Sequence, residues 1–158
     1  MTTTDDFTGA FTAPEVILFS ADVERAAGFY TRLGFAETFR VPKEGTPIHV
    51  DLQLDGYKIG FASIDSSRED HGLDPITSGQ RATVTLWTED TATAYRALTA
   101  AGVPGLAAPS VWLDRLLIAW VQDPDGHPIQ LVQALGGDNW RVGPGVVVSP
   151  RPRANGWV

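Results

Sequence analysis

The sequence predicts an α+β fold built from two tandem βαβββ modules. Two observations predict it. The segment at 20–35 matches the segment at 88–103 with a constant offset of 68, so Asp22 and Gly34 correspond to Asp90 and Gly102. An Asp-Gly pair recurs at 55–56 and 125–126. A fixed period of this size across a helix, a turn and strands indicates an internal duplication.

The first module begins with a buried strand at 15–20, a short run of β-branched and aromatic residues. Asp22 then caps a helix, because its carboxylate accepts hydrogen bonds from the free N–H groups of the first turn. One face of this helix collects Val23, Ala26, Tyr30 and Leu33. Gly34 ends the helix in a left-handed conformation. Strands are expected at 35–41, 49–54 and 57–63, the last two joined by the tight Asp55-Gly56 turn.

The second module repeats this order, with a strand at 81–88 and a helix from Asp90 to about Ala101. Its other strands are expected near 106–112, 115–122 and 127–134. The predicted divisions of the chain are an extension (1–13), the first module (14–65), a polar linker (66–80), the second module (81–135) and a Gly/Pro-rich tail (136–158). The tail is either loosely ordered or a strap across a partner subunit.

Composition excludes several classes of function. Twelve Lys and Arg against nineteen Asp and Glu give a net charge of −7, which argues against binding to nucleic acid or to an anionic membrane surface. The chain has no cysteine, so disulfides, thiolate zinc sites and cysteine nucleophiles are excluded. No apolar run approaches the roughly 20 residues of a membrane span. No export signal marks the N-terminus. We therefore expect a cytoplasmic protein.

Three motifs occur in a specific order and spacing. They are the Phe29-Tyr30 pair, the Leu33-Gly34-Phe35 triplet and the run VQDPDGHPIQLV at 121–132. Together with the duplication, they resemble the vicinal oxygen chelate superfamily, which includes glyoxalase I, bleomycin-resistance proteins, fosfomycin-resistance enzymes and extradiol dioxygenases. The resemblance covers about residues 14–135. It implies curled half-barrel sheets around a cavity, helices on the outside, and a homodimer.

The resemblance also locates four strand positions at which the metal enzymes of that superfamily carry ligands. In this sequence they hold Glu15, Gly60, Thr83 and Gln130. Glycine offers no side chain, and threonine and glutamine are weak neutral donors, whereas catalytic metals need about three good ligands. We therefore expect no metal and no cofactor, and a binding protein closer to the antibiotic-sequestering branch than to glyoxalase. A different oxygen-rich metal site in the same cavity is the alternative.

Strand alternation predicts which side chains line the cavity, because residues two apart share a face. Val50, Leu52 and Leu54 are expected to pack under the helix, which leaves the intervening residues on the concave side. The predicted ligand-binding residues are Glu15, Phe19, His49, Asp51, Gln53, Thr83, Thr85, Trp87, Ile118, Trp120 and Gln130. Such a groove, apolar and aromatic with a few polar groups, is typical of a small-molecule site.

Several of these residues have a second interpretation. Trp87 and Trp120 are either wall or core residues. His49 and Asp51 form either a proton-handling pair or a solvated strand face or dimer contact. Glu15 is either a buried acid with a raised pKa or a structural partner of Arg81 or Arg115. His127, which follows a turn, is expected to be exposed, and His71 in the linker receives no role.

Three functions are open on the sequence alone. The first is a dimeric protein that sequesters an aromatic or amphipathic metabolite or antibiotic. The second is a metal-free isomerase, cyclase or lyase in which Glu15, or His49 with Asp51, acts as acid and base. The third is a metal-dependent glyoxalase or dioxygenase, which the substituted ligand positions disfavour. The fold alone does not decide between them.

Overall fold

The computed structural model describes residues 8–136, 140–141 and 147–148. It confirms the α+β class and the duplicated order of elements. The first module comprises β1 (Val16–Ser20), α1 (Val23–Arg32), β2 (Ala36–Val41), β3 (His49–Leu54) and β4 (Tyr57–Ser63). The second comprises β5 (Val84–Trp87), α3 (Thr91–Ala100), β6 (Gly105–Trp112), β7 (Leu116–Gln122) and β8 (Pro128–Ala134).

A helix that the sequence did not predict lies between the modules. This helix, α2 (Ile64–His71), begins where the Ser63 hydroxyl accepts a hydrogen bond from the backbone N–H of Ser66. It ends at Gly72 in the left-handed conformation, with φ of 66°. Its polar composition lacks the apolar periodicity that reveals an amphipathic helix, so the segment resembled a loop.

Each module forms its own four-stranded mixed sheet. The strand orders are β1-β4-β3-β2 and β5-β8-β7-β6, with the first strand of each module parallel to the last. Both sheets are curled and unclosed. Within the region predicted as a tail, β9 (Trp140–Arg141) pairs antiparallel with β10 (Val147–Val148). Whether the predicted tail is loosely ordered or forms a strap across a partner subunit concerns residues outside those described.

The two long helices are capped in the same way. The carboxylate of Asp22 accepts a hydrogen bond from Arg25 N–H at 3.0 Å, and that of Asp90 accepts one from Thr93 N–H at 2.9 Å. Gly34 follows α1 with a φ of +105°, which a residue with a side chain rarely adopts. Among the helices described between residues 8 and 136, none is long and apolar enough to cross a membrane.

The main hydrophobic core lies between the helices and the sheets. In the first module, helix α1 buries Ala26 and Tyr30 completely against strands β3 and β4. The same cluster continues into the second module through Ala119, Val121 and Ile129, which are also fully buried. Because the helix side of both sheets is filled, the opposite side of each sheet is left for other contacts.

The turn at 123–127 joins the two modules through buried polar groups. The Tyr30 hydroxyl donates to Asp123 Oδ2 at 2.9 Å, and Asp123 Oδ1 accepts from the backbone N–H of His127 at 2.8 Å. The Ser20 hydroxyl, at the end of β1, donates to Asp125 Oδ2 at 2.7 Å. Burial and the nearby Asp123 raise the pKa of Tyr30 above its ordinary range, so the phenol keeps the proton that it donates.

The expected exposure of His127 is wrong. Only 2% of this residue is exposed, because the 123–127 turn packs against β1. There its Nε2 lies 3.2 Å from the backbone carbonyl oxygen of Phe19 and donates to it. Arg81 supports the same turn by donating from its guanidinium to the carbonyl oxygen of Asp125 at 3.1 Å.

Replacing Tyr30 with Phe tests this junction. The Tyr30→Phe variant leaves Asp123 Oδ2 buried without its donor, which costs about 1–3 kcal/mol of the free energy of unfolding. Urea denaturation measures the loss. Tyr57→Phe, at a tyrosine that is 54% exposed, is the matched control and should change stability by less than about 0.5 kcal/mol. Equal effects of the two substitutions would contradict the role assigned to the junction.

Candidate functional site

The concave face of the first module is defined by strand register. Ile17 of β1 pairs with Gly60 of β4, and Gly60 pairs with Asp51 of β3. In the next row, Phe19 pairs with Ala62, which pairs with His49. Val50 and Leu52, which alternate with His49 and Asp51, are fully buried on the helix side. The alternation predicted from the sequence therefore describes this strand correctly.

Position 60 must be glycine because neighbouring side chains fill the space that a Cβ would occupy. A Cβ at this position would collide with the tip of Ile17 and would lie 2.8 Å from Asp51 Oδ1 and 3.3 Å from His49 Nε2. The backbone of β4 at this position is therefore covered by Ile17 from β1 and by the His49–Asp51 pair from β3. The missing side chain lets the His49–Asp51 pair lie flat against the sheet.

His49 and Asp51 are in direct contact. His49 Nε2 lies 2.5 Å from Asp51 Oδ1, and the side chains are 28% and 13% exposed. The Phe39 ring packs edge-on to the imidazole, with ring centroids 6.0 Å apart. The pair is partly shielded from water and still accessible to a ligand.

Glu15 lies beside this pair, but the burial considered for it is wrong, because the residue is exposed and precedes the start of β1. Desolvation of the carboxyl group, the charge of Asp51 and a hydrogen bond with Asp51 raise the pKa of Glu15 above its ordinary value of 4.5, and Lys58 and His49 partly oppose that shift. The largest of these causes is the desolvation of the carboxyl group, and the negative charge of Asp51 adds to it. Arg81, considered as a salt-bridge partner for Glu15, instead binds backbone carbonyl groups of Ile76 and Asp125. We call Glu15, His49 and Asp51 the acid–base wall.

The concave face of the second module carries indole rings. Trp120 pairs with Gln130, and Trp87 pairs with Val132, which pairs with Ile118. Trp87 and Trp120 are half-buried and pack on a small cluster, separate from the main core, that comprises Leu116, Ile118 and Val132. We call Trp87, Trp112 and Trp120 the indole wall.

Trp112 is the member of that wall that the sequence interpretation missed. It pairs with Leu116, two positions from Ile118 along β7, so it shares the concave side. It is 54% exposed. Strand alternation could have found it, but the register of β6 shifts on both sides of Ala107, and such bulges break the period of two.

The remaining predicted residues have the following surroundings. Thr85 donates its hydroxyl proton to Gln130 Oε1 at 3.1 Å. Gln53 and Phe19 are half-buried, and Thr83 is exposed and precedes the start of β5. Ile118 is 8% exposed and forms the floor beneath the indoles. The structure thus brings Glu15 to His49 and Asp51 in one group, and gathers the second-module residues in another.

The four positions that the sequence resemblance marks as ligand positions do not form a fitting donor set here. Gly60 has no donor, Thr83 and Gln130 offer only neutral oxygen, and Glu15 supplies the one carboxyl group of the four. Across residues 8–136, no group of three or more His, Asp or Glu side chains is arranged to hold a metal ion. The donor chemistry does not fit a Zn, Ni or Fe centre.

A cavity adjoins the acid–base wall. Its volume is about 360 Å³, and it lies between the concave face of the first sheet and helix α2. Phe39, Val41, Ile48 and Ala62 form its apolar sides, and His49 borders it. Helix α2 contributes Ser66, Ser67, Asp70 and His71. The linker helix that the sequence did not predict therefore forms one side of this cavity.

Comparison with known families identifies one match. The family model described as the Glyoxalase/Bleomycin resistance protein/Dioxygenase superfamily matches residues 12–131. Comparison with the curated proteins gave no match. The family match spans both modules and both walls.

Solved structures with the same fold support this match. TioX from Micromonospora sp. ML1 is 24% identical over 79% of this chain and 100% of that chain, with a TM-score of 0.63. A glyoxalase-related enzyme from Fulvimarina pelagi is 23% identical over 89% of this chain and 99% of its own, with a TM-score of 0.68. The lactoylglutathione lyase from Agrobacterium tumefaciens is 15% identical over 77% and 92%, with a TM-score of 0.59. At these identities the likeness shows the fold.

The close packing over Gly60 predicts a large effect of a small substitution. In Gly60→Ala, the added methyl group displaces Ile17 and the His49–Asp51 pair, which should cost about 1–3 kcal/mol of stability. Gly28→Ala is the matched control, because a Cβ at that position in α1 meets nothing within 4 Å. That control should stabilise the protein by about 0.5–1 kcal/mol. A neutral Gly60→Ala in thermal and urea unfolding would refute the packing described.

The raised pKa of Glu15 predicts a pH-dependent effect of Glu15→Gln. A carboxyl group whose pKa is higher in the folded state contributes stability below its unfolded pKa and loses it as the pH rises through the folded value. The variant has no titratable group at this position and does not lose stability in this way. Its melting temperature relative to wild type should therefore rise as the pH increases above about 4.5. Differential scanning calorimetry across pH measures it. A difference that is constant with pH would show that the pKa of Glu15 is not raised in the folded state.

Proposed function

The chain belongs to the glyoxalase/bleomycin resistance protein/dioxygenase superfamily, and within it we propose a metal-independent protein that binds and sequesters a small aromatic or amphipathic molecule, such as an antibiotic. The proposal also includes a cytoplasmic location and a homodimer. The donor chemistry of the four ligand positions supports the metal-independent part.

The observation that carries the proposal is the indole wall. Three indoles lie on one face of one sheet and are not absorbed into the main core. Trp112, at 54% exposed, presents much of its surface to the concave side. Large apolar side chains that remain exposed together mark binding surfaces, and indoles stack on planar ligands at a favourable free energy.

Polar groups beside the indoles provide orientation. Gln130 pairs with Trp120 in register, and its amide oxygen already accepts a hydrogen bond from Thr85, which leaves its NH2 group as a donor. An apolar surface with a few placed polar groups is the usual composition of a small-molecule site. A planar ligand with a hydrogen-bond acceptor at its edge suits this combination.

The open sheets support the homodimer. The outer strands β1 and β2 of the first sheet each pair on one side only within the described residues, as do β5 and β6 of the second. Exposed strand edges favour association, and two-fold dimers are the commonest assembly of such chains. A second copy would cover the concave faces and bury the ligand more completely.

Ligand binding by tryptophan variants tests the function. A planar aromatic probe, acridine, should bind with quenching of tryptophan fluorescence, and isothermal titration calorimetry gives its affinity. Loss of one stacking indole removes on the order of 0.5–1.5 kcal/mol beyond area burial, so Trp112→Ala and Trp120→Ala should each weaken binding by about 2- to 13-fold or more.

Two controls separate binding from folding. Tyr57→Ala removes an exposed aromatic ring. Tyr57 pairs with Leu54, which packs on the helix side of the sheet, so the ring lies away from the concave face and the affinity should not change. The melting temperature of each variant reports folding. If acridine does not bind, or if both tryptophan variants bind it as wild type does, the sequestration function is wrong. If Trp120→Ala unfolds the protein, Trp112→Ala still decides the question, because that residue is mostly exposed.

A further inference from the structure

We propose that the acid–base wall is a proton-transfer site, with His49 as general base and Asp51 as its positioning residue, acting on a carbonyl compound that carries an apolar group. This activity goes beyond ligand sequestration. It uses the first module and the cavity beside α2, whereas the indole wall belongs to the second module.

The His49–Asp51 contact determines which imidazole nitrogen is basic. A carboxylate accepts hydrogen bonds, so the 2.5 Å contact places a proton on His49 Nε2. The lone pair of the neutral ring is then on Nδ1. The same arrangement, a carboxylate that orients an imidazole and stabilises its protonated form, is a general solution for a histidine base. Asp51 thus prepares His49 to accept a proton at Nδ1.

The environment of this pair is suited to proton transfer. The side chains of His49 and Asp51 are 28% and 13% exposed, so water is partly excluded while a substrate can still enter. The charged or titratable groups around His49 are Glu15 and Asp51 on the same wall, Lys58 near Glu15, and Asp70 and His71 from α2.

The cavity beside His49 indicates the apolar part of the substrate. Its volume of about 360 Å³ accommodates a monocyclic compound, and Phe39, Val41 and Ile48 form an apolar surface for a phenyl or alkyl group. A carbon acid is the simplest substrate for an isolated base, because a carbonyl group acidifies the adjacent C–H bond. A small ketone with a phenyl group meets both requirements.

The reaction is an isomerisation without net redox change. His49 Nδ1 takes a proton from the carbon next to the carbonyl group, and the C–H electron pair becomes the C=C bond of the enol. The C=O π pair moves to oxygen, which takes a proton from water. On return, the carbon takes a proton from the protonated His49, the C=C pair forms the new C–H bond, and the O–H pair re-forms C=O while the enol proton returns to the hydroxide left by water. In deuterium oxide, a cycle in which His49 has exchanged its proton with solvent replaces a C–H bond with C–D.

Deuterium exchange into phenylacetone tests this proposal. Proton NMR in neutral buffered deuterium oxide should show loss of the methylene signal at a rate proportional to protein concentration and above that of buffer alone. His49→Gln should lower the protein-dependent rate by about 100-fold or more, within the range typical of general bases. Asp51→Asn should lower kcat with little change in KM, and Asp51→Glu should restore part of kcat.

The matched control is Asp55→Asn, which makes the same charge change in the exposed turn that follows β3. It should exchange phenylacetone at the wild-type rate. No exchange above buffer, or an unchanged rate in His49→Gln with its fold intact by circular dichroism, overturns the proposal. Acridine binding measured on the same preparations separates the two functions, because retained binding without exchange leaves sequestration standing and removes only the proton-transfer activity.

Discussion

The buried carboxylate of Asp123 is the constraint on which the arrangement of the two modules depends. Only 3% of Asp123 is exposed, and a carboxylate in such a place is tolerated only when hydrogen-bond donors surround it. The donors are the Tyr30 hydroxyl from the first module and backbone N–H groups of its own turn. Because the Tyr30 ring is itself packed between Phe35 and Phe61, the contact ties the second module to the centre of the first core.

This junction decides which faces of the sheets are available for function. It holds the helix sides together in one core, so each sheet offers only its concave side. On that side the two modules have diverged despite their common plan. The row that holds Ile17, Gly60 and Asp51 in the first module corresponds to the row of Thr85, Gln130 and Trp120 in the second. The first wall is the proposed proton-transfer site, and the second is the proposed surface for aromatic ligands.

Sequence reasoning succeeded where short-range rules govern the chain. The caps at Asp22 and Asp90 follow from local hydrogen bonding, and the concave position of His49 and Asp51 follows from the period of a strand. It failed where distant residues decide the outcome. His127 is buried by a contact with Phe19 that lies 108 positions away along the chain, and no local pattern reports such a contact. Helix α2 and the bulged register before Trp112 were missed because neither has regular apolar periodicity.

Native mass spectrometry of protein purified from its own host, without chelators, tests the central claim most directly, because one spectrum reports the assembly, any metal and any organic ligand. The account predicts two chains that carry a non-covalently bound small aromatic or amphipathic molecule and no stoichiometric transition metal. A near-stoichiometric metal that is lost on substitution of Glu15 or Gln130 would contradict it, and would make a metal-dependent reaction of this superfamily the better explanation of the site.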